Sequence, residues 1–154
     1  MLKEKGWHES MGKLRFFCAL LIAKLSIIAL KITRHNGTNF PGIVAIKLCP
    51  NFLEYIELPY KIIGITGTNG KTTCSNLLND SLTFLGEKVL NNSAGSNTIT
   101  GITTSLINSV SLAGKQKYDT AVFEIDELSS RRIFPFIHID YLVVTNLSRD
   151  SIMR

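Results

Sequence analysis

The segment Lys61–Thr73, KIIGITGTNGKTT, constrains the fold of this chain more than any other stretch. Lys61 to Ile65 is a short run rich in β-branched residues, the kind that fills a buried strand. Gly64 within it and Gly67 and Gly70 after it permit sharp turns and let backbone N–H groups approach an anion closely. Lys71 and Thr72 follow at once, where a helix can begin and present its positive end. In such a loop a lysine reaches the β and γ phosphates of a nucleotide, and the neighbouring hydroxyl can ligate Mg²⁺. The strict pattern GxxxxGK[ST] is not met, because Ile65 stands where its first glycine belongs; the spacing is GxxGxNGKT. The GxGxxG register of dinucleotide-binding turns is absent as well. A chance glycine-rich turn has no need of strand, loop, GKT and helix in this order.

Periodicity around the loop predicts alternating strands and helices. After the strand Lys61–Thr66, a helix is expected over Thr72–Leu85, closed by Gly86. A short strand Lys88–Asn91 and a polar loop Asn92–Thr98 come next, then a helix over Ile99–Ser111 with Ile102, Leu106, Ile107 and Val110 at helical spacing. Thr120–Ile125 and Asp140–Thr145 read as further buried strands. Near-continuous apolar strands alternating with helices imply an α/β fold, a P-loop-containing, mostly parallel sheet with helices on both faces.

The first part of the chain differs in character. Leu14–Thr33 has no glycine or proline and predicts a long apolar helix, interrupted by Lys24 and Lys31 on one face. Its longest uncharged run, Phe16–Ala23, is too short to span a bilayer, and no small-x-small cleavage pattern marks a signal peptide. Two readings stand side by side: an interfacial helix with its lysines toward lipid headgroups, giving peripheral membrane contact, or a helix packed on the domain or a partner. Much of the net charge of +5 lies in this region, yet the charges are sparse among bulky aliphatics, which argues against nucleic acid. His35–Gly42 reads as a turn or linker and Asn51–Ile56 as a helical turn, so residues 1–42 are expected to form an N-terminal segment and 43–154 a partial nucleotide-binding domain. The cysteines, Cys18, Cys49 and Cys74, form neither a CxxC pair nor zinc-ligand spacing.

Candidate site residues cluster where strands end, since ligands bind at the carboxyl ends of parallel strands. Glu124, Asp126 and Glu127 follow one strand; Glu124 lies closest to it and Glu127 is the alternative carboxylate for Mg²⁺. Thr145, Asn146, Arg149 and Asp150 follow the next. Ser93, Ser96, Asn97 and Thr98 offer further oxygen ligands. His138, between Phe136 and Tyr141, reads as structural.

GITGTNGKTT resembles the ATP-binding loop of the Mur ligase family. With LRFFCALLIAKL, FPGIVAIKL, NNSAGSN, AVFEIDE and VVTNLSRD, the chain over most of residues 14–150 resembles the MurT group of that family, the ligase-like subunits of lipid II isoglutaminyl synthase. The resemblance implies that Gly67, Thr68, Asn69, Gly70, Lys71, Thr72 and Thr73 bind ATP, with Asn146, Arg149 and Asp150 in the turn after the later strand. It implies Mg²⁺ on Thr72 and Glu124, with Glu127 less firmly placed because ELSS also resembles the equivalent motif of other Mur ligases. Lys71 and Glu124 would be the catalytic pair. It further implies a GatD-like glutamine amidotransferase partner, lipid II as substrate, and a cytoplasmic location. The turn departs from the family after Asp150, where Ser151, Ile152 and Met153 replace its usual residues. The family's C-terminal domain and a cysteine-rich insertion are not in this sequence, so a fragment, inactive alone and with an exposed sheet edge, is the expectation. Another Mur-type ligase, of the UDP-linked peptide or folylpolyglutamate class, or a non-catalytic nucleotide-binding module, is the alternative.

Overall fold

The computed structural model describes residues 2–33, 39–93 and 96–147. Four parallel strands form one sheet: β1 (Lys61–Thr66), β2 (Val89–Asn91), β3 (Thr120–Glu124) and β4 (Tyr141–Val144), in the spatial order β2-β3-β1-β4. Ile63 is level with Val122 on one side and Tyr141 on the other, which fixes the register at the centre. Asp140 ties the start of β4 to β1, its carboxylate accepting from the Ile62 N–H at 2.7 Å and its own N–H donating to the Ile62 carbonyl at 2.9 Å.

Side chains alternate across the sheet, and each face is covered. Ile62, Leu90, Ala121 and Phe123 join the larger core cluster. The helices that cover it are α1 (Leu2–Ile32), α2 (Phe40–Leu48), α3 (Phe52–Tyr55), α5 (Ile99–Ser109) and α6 (Ser130–Ile133). Ile63, Ile65 and Val122 point the other way, under α4 (Lys71–Phe84), where Cys74, Leu78 and Leu82 pack. The predicted mostly parallel, two-faced α/β sheet is therefore the observed architecture.

Several boundaries move, each for a physical reason. The N-terminal helix starts at Leu2, well before Leu14, and passes through Gly6 and Gly12. Glycine weakens a helix interior by about 1 kcal/mol, but Gly12 is where the Tyr55 ring of α3 lies: a Cβ there would sit 2.9 Å from Tyr55 Cζ. The supposed linker ends in α2, whose first turn contains Pro41, a residue suited to that position. Gly42 brings α2 onto α5, its N–H donating to Thr104 Oγ1 at 2.9 Å. The helix after β1 ends in a Schellman motif as its glycine predicts: Gly86 has φ +90° and donates to Thr83, while Glu87 donates to Leu82. The short α6, unforeseen from the sequence, is organised by Asp126, whose carbonyl accepts from Ser129 and Ser130 at 3.0 and 3.1 Å.

Of the two lysines expected on one face of α1, Lys24 turns to the domain, as in the reading of a helix packed on it. Its Nζ donates to the Ile107 and Val110 carbonyls, each at 2.7 Å, and so caps the C-terminal end of α5. Lys31 is exposed.

Candidate functional site

The chain reverses direction at the centre of the sheet. From β1 it passes beneath one face through α4 to β2, whereas from β3 it passes over the other face through α6 to β4. The carboxyl ends of β1 and β3 therefore diverge into a crevice, the usual place for a ligand in an open parallel sheet. Its wall is formed by Thr68 to Thr73, Asn97 and Glu124, and it continues toward Asn92, Ser93 and Ser96.

The loop from Gly67 to Gly70 takes its shape from two left-handed glycines. Gly67 has φ +129° and Gly70 has φ +83°. At Gly67 no side chain fits, because a Cβ would meet the Thr145 hydroxyl and would lie 2.6 Å from the Asn146 carbonyl. At Gly70 the space is open, and only the backbone conformation favours glycine. The segment after β4 holds the loop from beneath. The Asn146 carbonyl accepts from the Thr68 N–H at 3.0 Å, and its side-chain oxygen accepts from the Asn69 N–H at 2.9 Å. Thr145 Oγ1 donates to the Asn69 carbonyl at 2.7 Å. Asn146 thus reaches the loop through the backbone groups of its neighbours. Arg149 and Asp150 lie outside the described residues.

Gly70 is the N-cap of α4, so Lys71 and Thr72 occupy its first turn, where backbone N–H groups have no intrahelical acceptor. Thr72 Oγ1 donates to Glu124 Oε2 at 2.9 Å, bridging the ends of β1 and β3. Lys71 folds back, its Nζ donating to the Gly67 carbonyl and lying 3.6 Å from Glu127 Oε1. The three neighbouring acids therefore separate: Glu124 meets Thr72, Glu127 meets Lys71, and Asp126 turns toward the start of α6.

Asn92 is the residue whose position sequence reasoning missed. It is buried, and its amide makes two bonds to the backbone of Glu124: Nδ2 donates to the Glu124 carbonyl at 2.9 Å, and Oδ1 accepts from the Glu124 N–H at 2.8 Å. A side-chain amide here imitates a strand neighbour just past the end of β2, and it fixes the backbone that carries the Glu124 carboxylate. The polar loop Asn92–Thr98 was the available signal, but nothing in its composition singles out Asn92. Asn97 lines the crevice and accepts through its carbonyl from the Asp126 N–H at 3.0 Å. His138 is exposed, 4.0 Å from Asp140 and away from the crevice lining.

The oxygen donors suit a hard cation shared with a ligand. Thr72 and Glu124 offer a hydroxyl and a carboxylate, and the buried Thr66 Oγ1 and Glu127 Oε1 have no hydrogen-bond partner. Among the described residues, no group of three His, Cys, Asp or Glu side chains could hold a metal ion. Mg²⁺ is commonly held by one or two protein oxygens plus phosphates and water, so a sparse protein set of this kind fits it.

Residues 65–152 match the family described as the Mur ligase middle domain. The chain is similar to the MurT subunit of lipid II isoglutaminyl synthase (glutamine-hydrolyzing) of Streptococcus pneumoniae, at 38% identity over 77% of this chain and 26% of that protein. It is similar to the subunit of the same name in Staphylococcus aureus strain COL, at 34% identity over 92% of this chain and 32% of that protein. A more distant likeness, 25% identity over 94% of this chain and 30% of the relative, is to the UDP-N-acetylmuramoyl-L-alanyl-D-glutamate–2,6-diaminopimelate ligase of Blochmanniella floridana. The chain thus spans about a quarter to a third of the length of these relatives.

Proposed function

The chain belongs to the Mur ligase family through its middle domain, and on that footing we propose that it is the ATP-binding N-terminal part of a MurT-like subunit of a lipid II isoglutaminyl synthase. In the whole subunit, ATP phosphorylates the α-carboxylate of D-glutamate in the stem peptide of lipid II and leaves as ADP. Ammonia released from glutamine by a GatD-like amidotransferase then attacks that carbonyl, phosphate departs, and the amide remains. The work is cytoplasmic, where ATP is available. The likeness to the pneumococcal and staphylococcal MurT subunits, at higher identity than to the diaminopimelate ligase, supports this assignment over other Mur-type ligases. Within the chain, the observation that carries it is the Thr72–Glu124 contact across the ends of β1 and β3, beside the loop that leads into α4.

The proposal gives each residue a role. The N–H groups of Gly70 to Thr72, at the N-terminal end of α4, would bind phosphate oxygens. Gly67, Thr68 and Asn69 shape the loop, with Thr68 and Asn69 held by Asn146, and Thr73 lines the same wall. Lys71 supplies a positive charge to the terminal phosphates, and Glu127 keeps it at the loop. Thr72 and Glu124 would hold Mg²⁺, with Glu127 as a second carboxylate nearby. When bound, Mg²⁺ offsets charge on the phosphoryl group being transferred. Arg149 and Asp150, which lie outside the described residues, are assigned to the nucleotide site by the family resemblance alone.

The test is calorimetric titration of this chain with ATP and Mg²⁺. Lys71→Ala is expected to weaken binding by about tenfold or more, roughly 1.4 kcal/mol, and Thr72→Val to reduce the gain from Mg²⁺. Binding that survives Lys71→Ala unchanged would remove the phosphate-loop assignment. The choice among ligases is made with a longer polypeptide containing this chain: glutamine-dependent amidation of lipid II in the presence of the amidotransferase supports the MurT-like role. Addition of diaminopimelate to a UDP-linked precursor would favour the likeness to the Blochmanniella enzyme.

A further inference from the structure

α1 carries two apolar stripes, and only one is used by the core. Phe16, Ala19, Leu20 and Ala23 are buried on the domain, with Ile27 packed beside them. Leu14, Phe17, Leu21, Ile22, Leu25 and Ile28 face away from it and are 45–63% exposed. At about 100° per residue these positions spread over an arc of roughly 140°, wider than the narrow seam of a coiled coil. The charges that border the arc have one sign: Lys13 and Lys31 fall along one margin and Arg15 along the other. From Ser10 to Leu53 the chain has no Asp or Glu. α2, packed against α1, adds exposed Phe40 and Leu48 beside exposed Lys47.

We propose that this face of α1 docks in the plane of an anionic lipid bilayer. Apolar side chains enter the headgroup boundary, and the basic side chains at the margins lay their stems along the apolar surface while their heads reach lipid phosphates. Contact is in-plane, because no helix among the described residues is long and apolar enough to cross a membrane. A second copy of the chain is a poorer occupant: along the turns from Leu14 to Ile28 that carry the arc, pairing two such faces would bring basic margins together, and these turns hold no Asp or Glu. Inward-facing Lys24 takes no part, being committed to the end of α5. The proposal rests on α1 and the neighbouring α2 and is independent of the nucleotide site.

The experiment is co-sedimentation of this chain, without nucleotide, with vesicles of phosphatidylcholine mixed with phosphatidylglycerol and with vesicles of phosphatidylcholine alone. Binding is expected to the mixed vesicles, weaker to the neutral ones and weaker at high salt. The triple variant Leu21→Gln, Leu25→Gln, Ile28→Gln should lose about tenfold or more in vesicle affinity. Its melting temperature should hold, because the replaced groups are exposed. A second variant, Arg15→Gln, Lys31→Gln, Lys47→Gln, leaves the apolar face intact and should lose most of the preference for anionic vesicles. Absence of binding to the mixed vesicles, or equal binding by the triple variant, overturns the proposal. So does a dimer in light scattering that the triple variant dissolves while vesicles go unbound, which would assign the face to a second copy.

Discussion

Asn92 shows how much of a site can rest on a residue that need touch no ligand. Its amide replaces a strand partner for Glu124, and it is buried, so removing it leaves the Glu124 N–H and carbonyl without those bonds. Asn92→Ala is expected to cost about 1–3 kcal/mol in urea unfolding and to reduce the Mg²⁺ dependence of ATP binding more than ATP binding without metal. Equal losses in both would make Asn92 purely structural. Gly67 is constrained differently, since both its φ of +129° and the nearby Asn146 carbonyl exclude a side chain. Gly67→Ala should distort the loop and weaken ATP binding severely, whereas Gly70→Ala, with open space, should cost only about 1–2 kcal/mol of stability through its left-handed backbone. Comparable binding by the two variants would contradict this distinction.

At the scale of elements, α1 and α5 share an apolar core and are also joined by a charged residue, Lys24. Lys24 donates to two carbonyls at the end of α5, so Lys24→Met should destabilise the fold by about 1–3 kcal/mol. Burial, and to a lesser degree the nearby Lys117, hold the Lys24 pKa below the ordinary lysine value. The unfolded chain therefore binds that proton more tightly than the folded one. Between the lowered folded value and the ordinary value, the unfolded state carries more protons and stability rises with pH. Denaturation curves through the alkaline range should show this gain in the parent chain, and Lys24→Met should lack it. A parent curve that falls through that window while the variant's follows it would show that Lys24 is not the group titrating.

The whole molecule has an asymmetric sheet. β2, β3 and β1 are covered, but Tyr141, Leu142 and Val144 of β4 are exposed, and among the described residues β4 pairs only with β1. An apolar edge with free backbone groups invites association with another strand. Light scattering should show concentration-dependent self-association that Val144→Lys suppresses, with ATP binding retained. Association undiminished by the lysine would place the contact elsewhere.

Much of this architecture was legible in the sequence. Lys61–Thr66 emerged with its predicted bounds, and Gly86 closed its helix, because continuous β-branched residues and a left-handed glycine act through local sterics that need no tertiary partner. The turn from Gly67 to Gly70 into α4 was visible for the same reason. Helices α2 and α6 were not, since one rests on Gly42 meeting α5 and the other is a single turn organised by Asp126. Nor did spacing say that Thr72 would meet Glu124, that Glu127 would turn to Lys71, or that Asn92 would brace the strand end, because these are contacts across 52, 56 and 32 residues of chain. On α1 the sequence alone determined a long apolar helix with a basic bias. Only the tertiary structure decided which stripe the core consumes, turning Lys24 inward and leaving Leu14, Leu21 and Ile28 outward, because a helix can bury one face on a single domain and must find another neighbour for the opposite one.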